Sequence, residues 1–149
     1  MGTGETGVQA ELAEALAPVL RDLDSSGGPR LEVRDEQWSD FEGQLTAMLW
    51  RSGGGGQGVS VMTGEPRPEQ IASVADQVQE WAVETLWQEG RPATWPECPE
   101  HPGSHPLQAL RREDRAVWAC PRTGELVCEV GGLTAVRGRS GRRARRRRR

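Results

Sequence analysis

The residues best suited to chemistry lie in one proline-rich stretch, WPECPEHPGSHPL (95–107), which holds both histidines and one of the three cysteines of this 149-residue chain. Cys98 and His101 are separated by two residues, the spacing at which a tight turn directs two ligands toward one metal ion. A proline follows each histidine and disfavours a helix here, because the residue before a proline is pushed toward extended geometry. We therefore predict a series of turns that direct Cys98, His101 and His105 toward a metal ion.

A tetrahedral zinc site needs four ligands, and Cys120, at a predicted hairpin turn, is a further candidate. Two residues compete for the last place: His105 would complete a Cys2His2 set, and Cys128 a Cys3His set. If Cys128 pairs near Val117, about three residues from Cys120, roughly 10 Å of strand separates the two thiols. That distance is too long for one shared ion without a bulge, so His105 is favoured. The predicted metal ligands are Cys98, His101, His105 and Cys120.

The segment WACPRTGEL around Cys120 resembles the second knuckle of zinc ribbons, whose usual form is Cys-Pro-x-Cys-Gly. Thr123 stands where that knuckle has its second cysteine. The resemblance covers residues 98–124, and it implies a structural zinc ion rather than a reactive one.

Other interpretations of these residues remain open from the sequence. The cysteines could be ordinary buried residues and the histidines ordinary loop residues, and Cys120 and Cys128 could form a disulfide within the hairpin. A catalytic zinc would need an open coordination position, with Glu97 or Glu100 as the base of a hydrolase. The His-x-Glu/Pro-Cys-x-x-Cys and His-Glu-x-x-His motifs of zinc enzymes are absent. We therefore expect no catalytic residues.

Charge is divided sharply along the chain. The formal net charge is −3, but residues 137–149 hold nine arginines and no acid, which leaves ten arginines against 22 acidic residues, or −12, on the rest. We predict that 137–149 is disordered, because it has almost nothing apolar to bury. It could bind nucleic acid non-specifically through phosphates, or lie against the acidic body. The alternative function is therefore that of a nucleic-acid-associated accessory protein.

The order of the predicted helices and strands that position the site indicates an α+β fold. A helix over 9–23, strands near 30–36, 44–51 and 58–64, and an amphipathic helix over 65–90 form the first part. The run SGGGGQG (52–58) is interpreted as a flexible hairpin loop. A polar connector, QALRREDR, then leads to a C-terminal hairpin with the zinc-knuckle-like loop. The helix–meander–helix order resembles small α+β bacterial chaperones that bind secreted effectors.

The predicted organisation is a flexible N-terminus (1–8), a single domain (9–136) made of a 9–90 unit and a 91–136 Cys/His segment, and the arginine-rich tail. No signal peptide is recognisable, and no run approaches the roughly 20 apolar residues of a membrane helix. Three cysteines without a signal peptide favour a reducing, cytoplasmic location. The expected function is that of a non-catalytic binding or adaptor module with a structural zinc and a possible protein partner.

Overall fold

The computed structural model describes residues 8–133. The predictions for residues 1–7 and for the arginine-rich tail 137–149 lie outside this range. The described part contains two helices and two three-stranded antiparallel sheets, so the predicted α+β class is confirmed.

The first helix, α1 (Ala10–Ser25), buries one face because Leu12, Leu16, Val19 and Leu23 recur at helical spacing. It continues through Pro18. The helix also buries a carboxylate, Asp22, on the face that packs inward.

The second helix, α2 (Arg67–Gln88), begins with a proline in its first turn, a position where the missing N–H is not needed. Its predicted apolar stripe is largely buried, including Val74, Val78 and Trp81. Because α2 contacts α1 and strands of both sheets, it joins the two halves of the molecule.

The N-terminal sheet has the order β1 (Glu32–Arg34), β2 (Gln44–Trp50), β3 (Gly56–Met62), as expected for a meander. The alternating residues Ala47, Leu49, Val59 and Val61 are buried on its inner face.

The glycine run differs from its prediction, because β3 begins at Gly56 and two glycines of the run lie inside the strand. A Cβ atom on Gly58 would lie 2.7 Å from the ring of Trp38, and one on Gly56 would lie 3.0 Å from the ring of Trp50. These two glycines therefore make room for indoles on the outer face of the sheet.

The C-terminal sheet has the order β4 (Gln108–Arg112), β5 (Arg115–Ala119), β6 (Leu126–Glu129). The stretch interpreted as a polar connector is therefore an additional strand with a tight turn. Glu113 in that turn has a φ of 58°. The polar side chains of β4 are tolerated because its last two residues, Arg111 and Arg112, are exposed.

One hydrophobic core runs through both parts of the chain, from Leu12 and Leu16 of α1 to Trp118, Cys120 and Val130. At its centre the indole N–H of Trp118 donates to Asp22 Oδ2 at 2.8 Å. The backbone N–H groups of Gly131 and Leu133 donate to the same carboxylate at 2.6 and 3.1 Å. Asp22 thus links α1 to β5 and to the segment after β6.

Candidate metal centre

The Cys/His stretch forms a loop whose two ends are held together. Leu107 N donates to the carbonyl oxygen of Pro96 at 2.8 Å, and Cys98 N donates to that of His105 at 3.4 Å. The side-chain amide of Gln79, on α2, donates to the carbonyl oxygens of Trp95 and Leu107. One helical side chain therefore fixes both ends of the loop against the core.

Within this loop, Cys98 begins a tight turn that is closed by a hydrogen bond from His101 N to Cys98 O at 3.1 Å. The backbone N–H groups of Glu100 and His101 donate to the Cys98 sulfur. This N–H···S arrangement is what a cysteine requires when it carries negative charge away from water.

A second turn repeats the pattern after β5. Gly124 N donates to Cys120 O at 2.7 Å, and the backbone N–H groups of Arg122 and Thr123 donate to the Cys120 sulfur. In both turns the N–H donors lie two and three residues after the cysteine of a Cys-Pro pair. The structure thus contains two similar turns, each presenting one thiol, as the zinc-knuckle comparison implied.

The four predicted ligands converge. One candidate ligand atom from each of Cys98, His101, His105 and Cys120 lies within 4.8 Å of the other three. His101 Nδ1 is 3.6 Å from the sulfur of Cys98 and 3.6 Å from that of Cys120. His105 Nε2 is 3.2 Å from His101 Nδ1 and 3.9 Å from the Cys120 sulfur.

Hydrogen bonding alone does not account for these contacts. His101 Nδ1 has three polar neighbours: two sulfurs and the Nε2 of His105. A neutral imidazole nitrogen has one lone pair or one hydrogen, so it makes one good hydrogen bond in one direction. A cation between the four atoms would interact favourably with all of them at once.

The orientation of His105 suits metal binding. Its Nδ1 lies 3.1 Å from the carbonyl oxygen of Pro106, which can only accept, so Nδ1 carries the hydrogen. The lone pair of a neutral ring is then on Nε2, the atom that faces the cluster. A backbone carbonyl holding the far nitrogen of a ligand histidine is a common feature of metal sites.

The two thiols have different electrostatic environments. Burial raises the pKa of the Cys98 thiol. Burial acts in the same direction on Cys120, but hydrogen bonds to its sulfur from Thr123 and Arg122, and from Cys98, outweigh it and lower the pKa to about 6. The cluster therefore favours the thiolate form of Cys120 even without a metal ion.

The two cysteines of the cluster belong to the same hydrophobic core as Trp95 and Trp118. Both cysteines are fully buried, whereas both histidines are half-buried. Trp95 and Trp118 pack edge to face with ring centroids 5.6 Å apart, and the Trp95 indole donates to Ser26 Oγ at 2.7 Å. The histidines are therefore the ligands nearest to solvent.

Cys128 lies outside the cluster. A bulge between Trp118 and Ala119 shifts the register, so Cys128 pairs with Trp118, one residue from the predicted neighbour Val117. None of the three cysteines forms a disulfide, so the Cys120–Cys128 alternative is wrong for this structure. Glu97, considered as a catalytic base, instead accepts a hydrogen bond from Gly103 N at 2.7 Å within the loop.

Three residues that position the site were missed in the sequence. Thr123 was noted only as a missing cysteine, yet its hydroxyl donates to the Cys120 sulfur. Gln79 and Asp22 act across long sequence separations, and no local pattern marks them.

The comparisons with known proteins find no matching family model, no matching curated protein and no matching solved structure. Neither helix within residues 8–133 combines the length and apolar character needed to cross a membrane. Functional inference therefore rests on the geometry of the Cys/His cluster.

Proposed function

We propose that this protein is a small binding or adaptor module in which Cys98, His101, His105 and Cys120 hold a structural zinc ion. The observation that carries the proposal is the set of distances among the four ligand atoms. Ideal tetrahedral zinc, with Zn–S of about 2.3 Å and Zn–N of about 2.0–2.1 Å, has S–N edges of about 3.5 Å and an N–N edge of about 3.3 Å. Three of the four sulfur-to-nitrogen separations here are 3.6, 3.6 and 3.9 Å, and the nitrogen-to-nitrogen separation is 3.2 Å.

The ligand types support zinc over other divalent ions. Two thiolates and two imidazoles form a mixed sulfur and nitrogen set, whereas magnesium and calcium prefer oxygen. Bound there, zinc would stabilise both thiolates and cross-link the loop to the turn after β5.

A structural role is favoured over hydrolysis for two reasons. Four protein ligands fill a tetrahedral ion and leave no position for a reactive water. Glu97, one of the two acids considered as a base, is engaged by the backbone of Gly103. The chain's own residues would thus hold the ion and shield it, while the rest of the surface would be used for binding.

The test is metal content in matched cysteine variants. Full-length protein purified without chelator should contain about one zinc per chain. Cys98→Ser should lose most of it, and Cys128→Ser, which changes a cysteine outside the cluster, should retain it. Circular dichroism of each variant distinguishes metal loss from unfolding. Equal zinc in the two variants, or no metal in the unmodified protein, would overturn the proposal.

A further inference from the structure

The N-terminal sheet has an outer face that neither helix of the described range 8–133 covers. On this face the loop 35–43 crosses β2, held by a hydrogen bond from the Trp38 indole to Ala47 O at 2.9 Å and one from Thr46 Oγ1 to Glu36 O at 3.2 Å. The ring of Trp38 lies directly on Gly58. We call this loop and the strand residues beneath it the loop face.

The loop face exposes large aromatic side chains. Phe41 is 65% exposed and Trp38 is 46% exposed, although Trp38 is anchored by its indole. Two of the four exposed large apolar residues between 8 and 133 therefore belong to one nine-residue loop. Such a concentration is typical of an interaction surface.

The charge of the loop face points to a cationic partner. Residues 35–42 carry four carboxylates and no basic group. Asp35, Asp40 and Glu42 form no ion pair and no side-chain hydrogen bond with any other residue in the described range. The surface thus offers aromatic rings and uncompensated acids together, which is the combination that binds guanidinium groups.

We propose that the arginine-rich segment 137–149 of the same chain docks on the loop face. That segment supplies nine guanidinium groups, and these complement the carboxylates and can stack on Trp38 and Phe41. The same contact already occurs beside the loop, where the guanidinium of Arg34 lies 5.1 Å from the ring centroid of Trp50.

The chain is long enough for this contact. The sixteen residues 134–149 can span up to about 50 Å when extended. A folded body of this size has a radius of gyration of about 14 Å, so the segment that follows Leu133 can reach most of its surface. The proposal is independent of the metal site and stands or falls separately from it.

The test measures how fast trypsin cleaves within 137–149 of the full-length protein, followed by intact mass. The free peptide 134–149 corrects for the effect of salt on trypsin. Docking predicts that cleavage is about fivefold slower at low salt than at high salt, because exposed ion pairs and cation–π contacts are individually weak and screened. The triple variant Asp40→Asn, Phe41→Ala, Glu42→Gln should remove this protection.

A matched control changes an equally exposed aromatic and an acid on α2, together with the acid that follows the helix: Trp87→Ala, Glu84→Gln, Glu89→Gln. This variant has the same charge change and should keep the protection. Equal cleavage rates in the unmodified protein and the loop-face variant would overturn the proposal, as would an equal loss in the control. Protection that grows with protein concentration would place the segment on a second copy, and protection abolished by nuclease would make nucleic acid the occupant. Either result contradicts docking within one chain.

Discussion

Replacing Asp22 with asparagine should destabilise the fold measurably, because the carboxylate is fully buried and accepts three hydrogen bonds. An asparagine oxygen can keep the bonds from Trp118 and Gly131, but its amide group then faces the N–H of Leu133. A buried donor left without an acceptor costs about 1–3 kcal/mol. The expected loss for Asp22→Asn is therefore about 2 kcal/mol, and for Asp22→Ala, which orphans all three donors, about 3–5 kcal/mol.

The pH dependence gives this prediction a second signature. Burial raises the pKa of the Asp22 carboxyl, against the opposing effect of its hydrogen bonds from Trp118, Gly131 and Leu133. In the interval between the unfolded and folded pKa values the folded state holds a proton that the unfolded state has released. Stability therefore falls as pH rises through that interval and levels off above the folded pKa. The Asp22→Asn chain lacks this contribution, so its deficit relative to the unmodified protein is largest at the acid end.

The assay is urea unfolding followed by circular dichroism at several pH values with zinc held constant. Asp24→Asn is the control, since Asp24 is an exposed acid on the same helix. A loss for Asp22→Asn within about 0.5 kcal/mol of that for Asp24→Asn would fall in the range of ordinary surface substitutions and refute the assigned role of Asp22.

Two further changes test the site and the sheet. Thr123→Val removes the hydroxyl that donates to the Cys120 sulfur and should weaken zinc affinity about tenfold in a competition titration, as loss of an outer hydrogen bond commonly does; unchanged affinity would contradict that assignment. Gly58→Ala should cost about 1–3 kcal/mol in thermal or urea unfolding, because its Cβ would meet the Trp38 ring at 2.7 Å. Gly53→Ala, whose Cβ meets nothing within 4 Å, should be nearly neutral, and an equal cost at both positions would be inconsistent with the packing described.

Local sequence patterns predicted the buried faces of the helices and the candidate ligands, because these features depend on residues that are close together in the sequence. The apolar spacing of α1 and α2 indicated which faces of the two helices are buried. The Cys-Pro turns indicated the candidate ligands, because a proline-stiffened turn and a metal ligand constrain the same few residues.

What the sequence did not give depends on contacts between distant residues. The bulge at Trp118 and Ala119 moves Cys128 by one position, and no residue type announces it. The glycines of β3 looked like a floppy loop because their role depends on Trp38, twenty residues earlier. The sequence does not reveal that Gln79 bonds to Trp95 and Leu107, because it lies on a polar face of the helix. Strand β4 is so polar that its sequence resembles that of a connector.

X-ray absorption at the zinc edge of the full-length protein would show whether a zinc ion is bound by two sulfurs and two nitrogens. A closed Cys2His2 site predicts two sulfur neighbours at about 2.3 Å and two nitrogen neighbours at about 2.0–2.1 Å. In Cys128→Ser the spectrum should be unchanged. A third sulfur, a shell containing water oxygen, or the absence of bound zinc would contradict a closed site made of Cys98, His101, His105 and Cys120.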